Sequence, residues 1–79
     1  MARVLMLGRL ADQAGWRERT IDASTLRAVR DAVERDAPGL AEALASGSIV
    51  VVVNDVVQRG DAPVGDSDEV AFLPPMSGG

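Results

Sequence analysis

Cysteine, histidine and lysine are all absent from this chain of 79 residues, and the absences remove whole classes of chemistry. Without cysteine there is no disulfide framework, no thiol nucleophile and no thiolate metal ligand. Without histidine, the Ser-His and Cys-His nucleophile pairs, most metal sites and the usual acid-base switch near neutral pH are excluded. We therefore expect neither a self-contained hydrolase nor a metalloenzyme, and no bound metal or cofactor.

Aromatic side chains and long apolar runs are also scarce. Trp16 and Phe72 are the aromatic residues, so the core must be built from Val, Leu, Ile, Ala and Met. No stretch approaches the roughly 20 apolar residues of a membrane span, and the N-terminus lacks the layout of a signal peptide. We expect one small cytoplasmic domain with no membrane partner.

The net charge of the chain is negative. Twelve acidic side chains outnumber eight basic ones, all of them arginine, for a net charge of -4. Nucleic-acid binding depends on clustered cations, and no basic block is present, so no nucleic-acid partner is expected. A basic partner fits the charge better, although negative charge also simply keeps proteins soluble.

The first part of the chain predicts two strands. Residues 3–7 form a nearly continuous apolar run, which indicates a strand buried on both faces. Residues 11–15 break this run with small and polar residues. The segment WRERTID then alternates with mostly polar side chains on both sides, which is typical of an edge strand.

A helical pattern follows, with Ser24 as the predicted N-cap and Pro38-Gly39 as the stop. A second short helical segment, LAEALASG, adds a turn or two after the stop. The side chains expected to face the core of these two segments are Leu26, Val29, Val33, Ala37, Leu40 and Leu44.

The second half of the chain predicts a hairpin and a final strand. Five consecutive β-branched residues, 49–53, are followed by Asn54-Asp55, a pair that tolerates the positive φ of a tight turn, and by Val56-Val57. A polar loop leads to a last strand, Val70 to Leu73, closed by Pro74.

This order of elements predicts an α+β fold of the β-grasp (ubiquitin-like) type, a mixed sheet of about five strands with one main helix on one face. In that fold the first and last strands lie side by side and parallel. We assign residues 1–73 to the β-grasp domain and residues 74–79 to an extended C-terminal tail.

The tail has three chemical features. Pro74 and Pro75 favour an extended path, and at about 3.1 Å per residue the six residues reach roughly 15 to 20 Å. Gly78 and Gly79 have no Cβ, so their backbone can pass through a channel that a side chain would block. A carboxylate on such an arm can be adenylated by a partner, and this chain has no thiol or side-chain amine to capture the activated group.

The motif DEVAFLPPMSGG resembles the C-terminal end of the MoaD/ThiS family of sulfur carriers, and the proline pair before Gly-Gly is its most discriminating part. The opening RVLMLGRLADQAG, the helix STLRAVRDAV and the hairpin VVVNDVV are similar to the corresponding parts of the family. The likeness therefore extends along the whole chain, and within the family it is greatest to the small subunit of molybdopterin synthase.

The resemblance implies a non-catalytic sulfur carrier. A ubiquitin-activating-type adenylyltransferase, using ATP and magnesium, would adenylate Gly79, and a sulfurtransferase system would convert it to a thiocarboxylate. The large subunit of molybdopterin synthase would accept the tail and transfer the sulfur to precursor Z (cyclic pyranopterin monophosphate), which builds molybdopterin.

The resemblance also implies a partner interface at the end of the last strand. Its expected contacts are Phe72, Leu73, Pro74, Pro75, Met76, Ser77 and Gly78. Of the first two we expect Phe72 to point into the core and Leu73 outward. Family members often carry a basic residue where this chain has Ala11; Arg9 would replace it, on the same strand face if the first strand persists.

Three other functional hypotheses fit the sequence. One is a sulfur carrier for thiamin or cysteine synthesis, against which the proline pair argues. Another is a ubiquitin-like modifier whose Gly79 forms isopeptide bonds with lysines on target proteins. The last is a β-grasp interaction domain whose tail has no chemical role.

Overall fold

The computed structural model describes residues 1–74, which form five strands and three helices. In chain order these are β1 (Ala2–Met6), α1 (Arg9–Ala14), β2 (Glu18–Ile21), α2 (Leu26–Asp36), α3 (Pro38–Ser46), β3 (Val50–Val53), β4 (Val56–Gln58) and β5 (Glu69–Leu73).

The strands form one mixed sheet in the order β2-β1-β5-β3-β4. β1 and β5 are parallel, with Val4 opposite Val70, and the other neighbouring pairs are antiparallel. The predicted β-grasp fold is confirmed, with the last strand in the centre of the sheet and WRERTID supplying an edge strand.

The first strand is buried on one face only, so the prediction of burial on both faces is wrong. Ala2, Val4 and Met6 are buried, whereas Arg3 is exposed and Leu5 is half-buried. The physical reason is that the helices pack against a single face of the sheet. The core lies there and contains seventeen buried apolar side chains and no buried polar one among the residues described.

The main helix α2 begins one residue later than predicted. Thr25, not Ser24, is the N-cap, and its hydroxyl accepts a hydrogen bond from the Ala28 N–H at 3.1 Å. The predicted apolar stripe is confirmed, since Leu26 and Val29 are buried together with the rest of the set. A side-chain acceptor at this position satisfies one of the free N–H groups of the first turn.

Pro38 ends the predicted helix but begins α3, because the fixed φ of proline suits the first position of a helix. Leu40 and Leu44 are buried, as predicted. The Arg30 guanidinium donates a hydrogen bond of 2.9 Å to the carbonyl of Leu44, which joins the two helices.

The helix α1 replaces the break predicted at residues 11–15. It has six residues, of which Leu10 alone is buried, and it ends at Gly15 with φ 86°. A single buried side chain produces no helical periodicity, which explains why the pattern did not indicate a helix.

The predicted hairpin is confirmed. Asn54 and Asp55 have φ values of 49° and 69°, both in the left-handed region, and they connect β3 to β4 as a two-residue turn. Positive φ at both central positions defines a type I′ turn, whose twist matches that of the strands.

Candidate functional site

The end of β5, where the tail leaves the domain, is held in the centre of the sheet. Phe72 lies opposite Met6 of β1 and Val51 of β3, and its side chain is fully buried. The Leu7 N–H donates to the Phe72 carbonyl at 3.0 Å. The last strand is thus paired on both sides up to the point where the tail begins.

Phe72 and Leu73 point in opposite directions, as predicted. Phe72 is the largest fully buried side chain among the residues described, whereas Leu73 is half-buried on the other side of the sheet. The expected contact of the Phe72 side chain with a partner therefore needs correction, because that side chain fills the core. A partner contact by Leu73 stays a prediction.

Pro74 lies against the turn between β1 and α1. Gly8 in that turn has φ 59° and ψ -140°, and a Cβ added to it would lie 3.2 Å from Pro74 Cγ. Such a distance is tighter than ordinary van der Waals contact, so the backbone of Gly8 and the ring of Pro74 are closely packed. The first residue of the tail thus has a defined neighbour.

The remaining tail residues lie outside the part of the chain that the structure describes. The predictions made for Pro75, Met76, Ser77, Gly78 and Gly79 stay predictions, as does the boundary between domain and tail.

Arg9 is the first residue of α1 and is exposed. The strand does not persist to this position, so the premise that Arg9 continues a strand face is wrong. It directly follows Gly8, which places it at the end of the sheet where the tail leaves. Its contact with a partner stays a prediction.

An apolar surface lies beside the end of β5, where the tail leaves the domain (the tail exit). The sequence pattern did not predict this surface. We call it the open sheet face, the side of the sheet opposite the helices. Leu7 is 40% exposed there and Val57 is 53% exposed. The full set is Leu5, Leu7, Val50, Val52, Val57, Ala71 and Leu73. The unbroken run of valines concealed this surface, since it shows no alternation from which an outer face could be recognised.

Charged side chains border the open sheet face at the end away from the tail. Arg3 lies 2.8 Å from Glu18 and 3.4 Å from Glu69, measured between guanidinium nitrogens and carboxylate oxygens. The hydrogen bond with Glu18, and then the charges of Glu18 and Glu69, raise the pKa of Arg3 above its ordinary value. This side of the sheet is therefore charged at the end away from the tail and apolar at the end from which the tail leaves.

The start of β5 is held by a polar network. The Asn54 side chain donates to Asp68 at 2.8 Å and accepts from the Glu69 N–H at 3.0 Å. The Gly65 N–H donates to the other carboxylate oxygen of Asp68 at 2.7 Å. The bond from Gly65, followed by that from Asn54, lowers the pKa of Asp68. Both ends of the central strand are thus fixed.

The described residues present a strand end and two surfaces at the base of the tail. Within residues 1–74 no three His, Cys, Asp or Glu side chains come close enough together to hold a metal ion. No helix in that part of the chain is long and apolar enough to cross a membrane. What the arrangement presents is a rigid central strand, a tail that starts from its end, and an apolar surface beside the exit.

Comparison of the sequence with known proteins identifies a family that the chain matches. The profile of the ThiS family matches residues 4–79. The molybdopterin synthase sulfur carrier subunit of Escherichia coli (strain K12) is 33% identical over 81 aligned residues, which cover the whole of both chains.

Two solved structures have the same fold. The small archaeal modifier protein 1 (SAMP1) from Methanosarcina acetivorans superposes with a TM-score of 0.86 at 24% identity, over 99% of this chain and 95% of its own. SAMP1 from Haloferax volcanii superposes with a TM-score of 0.83 at 26% identity, over 99% and 98%.

Proposed function

Because the chain belongs to the ThiS/MoaD family and is a sulfur carrier of that type, we propose that it is the small subunit of a molybdopterin synthase. In this role Gly79 bears a thiocarboxylate whose sulfur is transferred to precursor Z. The observation that carries the proposal is the alignment with the Escherichia coli sulfur carrier subunit, which spans both chains completely.

The proposed chemistry begins at the carboxylate of Gly79. A ubiquitin-activating-type adenylyltransferase, with ATP and magnesium, converts the carboxylate to an acyl-adenylate and releases pyrophosphate. A sulfur nucleophile supplied by a sulfurtransferase system then displaces AMP. The carrier contributes no catalytic side chain to either step, so the partners must supply them.

The described part of the chain supports this role by holding the base of the tail. Phe72 is buried and its carbonyl is paired with Leu7, so the tail leaves from a strand that cannot move independently of the sheet. A fixed starting point reduces the conformational freedom lost when a tail enters a partner's active site.

The open sheet face is the proposed docking surface for the large subunit and for the adenylyltransferase. Exposed apolar groups beside a reactive segment favour binding, because their burial is the main source of affinity in protein interfaces. Leu7 and Leu73 lie nearest the tail exit and should contribute most. We propose that the activation of Gly79 and the transfer of its sulfur take place in the cytoplasm, where ATP is available.

A protein modifier is the second candidate, because SAMP1 from Haloferax volcanii, named a small archaeal modifier protein, is 26% identical to this chain over 99% of its length. The same acyl-adenylate would then react with a lysine amine on a target protein to form an isopeptide bond. Carriers for thiamin or cysteine synthesis would use the same thiocarboxylate, and they differ only in the acceptor of the sulfur.

Intact-mass analysis of the protein from its native host separates these candidates. A sulfur carrier should show a species in which one oxygen is replaced by sulfur, whereas a modifier should appear mainly in conjugates of higher mass. Incubation of the thiocarboxylated protein with the purified large subunit and precursor Z should then yield molybdopterin. Thiocarboxylate without molybdopterin would indicate a carrier for another pathway, and loss of Gly79 without any effect on molybdopterin synthesis in the host would refute the proposal.

A further inference from the structure

The two edges of the sheet differ in how they are protected. On β2, Glu18 is paired with Arg3, and Arg19 is paired with Asp36. β4 has no charged residue, and its two valines are 59% and 53% exposed. Soluble proteins usually block edge strands with charges, because an open edge pairs readily with another strand. β4 lacks that protection.

The backbone of Val57 faces the free edge. In the type I′ turn, Val53 and Val56 form the hydrogen-bonded pair next to the loop. Hydrogen-bonded and non-hydrogen-bonded pairs alternate along antiparallel strands, so Val57, opposite Val52, directs its N–H and C=O away from β3. β4 is the last strand of the sheet, so within residues 1–74 no further strand lies beside these two groups.

We propose that two copies of this chain associate through β4, antiparallel and centred on Val57. The two Val57 residues would exchange two backbone hydrogen bonds across a two-fold axis perpendicular to the sheet. Each Val56 would lie beside Gln58 of the second copy, so both exposed valines gain a neighbour. This inference does not depend on the proposed function.

The charges beside β4 select this register. Centring on Val57 sets Asp55 opposite Arg59 of the second copy, and symmetry repeats the pair. A register centred on Val56 would set Asp55 opposite Val57, and one centred on Gln58 would set Asp55 opposite Asp61. Asp55 and Arg59 are both exposed, so their charges are available, and only the first register joins opposite charges.

The geometry also determines where the two tails lie. β4 and β5 are both antiparallel to β3, so they run in the same direction. The two-fold axis reverses that direction in the second copy, and the two tails therefore leave from opposite ends of the joined sheet. Both open sheet faces lie on the same side. The dimer consequently leaves each tail accessible to a partner.

The contact is small, and the net charge of -4 on each copy opposes association, so we expect a weak, reversible dimer. Sedimentation velocity of the full chain over a concentration series should show the mean mass rising toward twice that of the monomer. The amide of Val57 should exchange more slowly with solvent as concentration rises. A chain that stays monomeric throughout would overturn the proposal.

Complementary charge variants test the register. In a dimer of Arg59→Asp or of Asp55→Arg, residue 55 of one copy and residue 59 of the other would carry the same charge at both symmetry-related contacts. Each variant alone should therefore be monomeric. Mixed in equal amounts, the two should form a heterodimer with both ion pairs restored. Arg35→Asp, an exposed change on α2 with the same effect on net charge as Arg59→Asp, should dimerise in the same way as the parent chain.

Asp55→Arg strains a residue with φ 69°, so circular dichroism must confirm that it folds. Asp55→Asn keeps the turn and removes the charge, and it should weaken dimerisation without abolishing it. Dimerisation that is unaffected by these substitutions, or a mixture that fails to associate, would refute this register. Binding of the β4 edge to a strand of a different protein, with no self-association, would refute the proposal as well.

Discussion

The backbone N–H of Leu7 donates to the carbonyl of Phe72 at 3.0 Å. This bond joins the residue after the first strand to the last buried residue before the tail. The two residues are 65 positions apart in the sequence, so the base of the tail depends on the pairing of the two ends of the domain.

Phe72→Ala should destabilise the domain strongly, because it leaves a cavity at the centre of the core. We expect a loss of about 3–5 kcal/mol in the free energy of unfolding, as for other buried Phe→Ala changes. Leu73→Ala, on the half-exposed side of the same strand, should cost only about 1 kcal/mol. Urea denaturation of both variants measures the difference, and equal losses would contradict the assigned orientations.

Leu7→Ser should weaken binding to the large subunit while leaving the fold intact, because Leu7 is exposed beside the tail exit. We expect a loss of about 1–2 kcal/mol in binding free energy, the range of a moderate interface contact. Calorimetric titration with the purified large subunit measures it. Val56→Ser is the control, since Val56 is similarly exposed but lies on the other side of the sheet at its far edge. Equal effects of the two would count against the open sheet face.

Thr25→Ala should destabilise the domain by about 1 kcal/mol, because it removes the side-chain acceptor that caps α2. Ser24→Ala, one residue earlier, should have almost no effect, since the structure gives the capping bond to Thr25. Thermal unfolding of the two variants makes the comparison. A larger loss for Ser24→Ala would place the cap where the sequence pattern predicted it.

The stability of the domain should depend on the ionisation of Asp68 at acid pH. Its pKa is lowered by the bonds from Gly65 and Asn54, so the folded state binds this proton less readily than the unfolded chain does. The stabilisation is therefore present above the ordinary Asp pKa of about 3.9 and is lost as the pH falls through the lower folded value. Unfolding curves of the parent chain and Asp68→Asn should differ near neutral pH and converge in acid.

Adding one alanine after Gly79 should block adenylation without changing the fold. The activating enzyme must place the terminal carboxylate at ATP, and the extra residue moves that carboxylate and adds a Cβ. We expect ATP-pyrophosphate exchange with the adenylyltransferase to fall to background while the thermal unfolding temperature stays unchanged. Full exchange with the extended chain would show that Gly79 is not the acceptor.

Long, repeated patterns in the sequence predicted the fold well. The stripe from Leu26 to Ala37 and the pair Asn54-Asp55 led to the main helix and the hairpin. They succeeded because helix periodicity and turn conformation are local properties that neighbouring residues decide. The sequence pattern did not predict the helix α1, because six residues with one buried side chain are too few to show a helical period.

The sequence by itself determined the chemistry available to this protein: it has no thiol, imidazole or side-chain amine, and its tail motif is that of a sulfur carrier. It also determined the β-grasp order of elements. Only the tertiary structure decided which face of the sheet stays open, that Leu7 meets Phe72, and that Arg9 begins a helix. These features depend on pairing between segments that are distant in the sequence. Alternation along one strand does not indicate which side of the sheet the helices will cover.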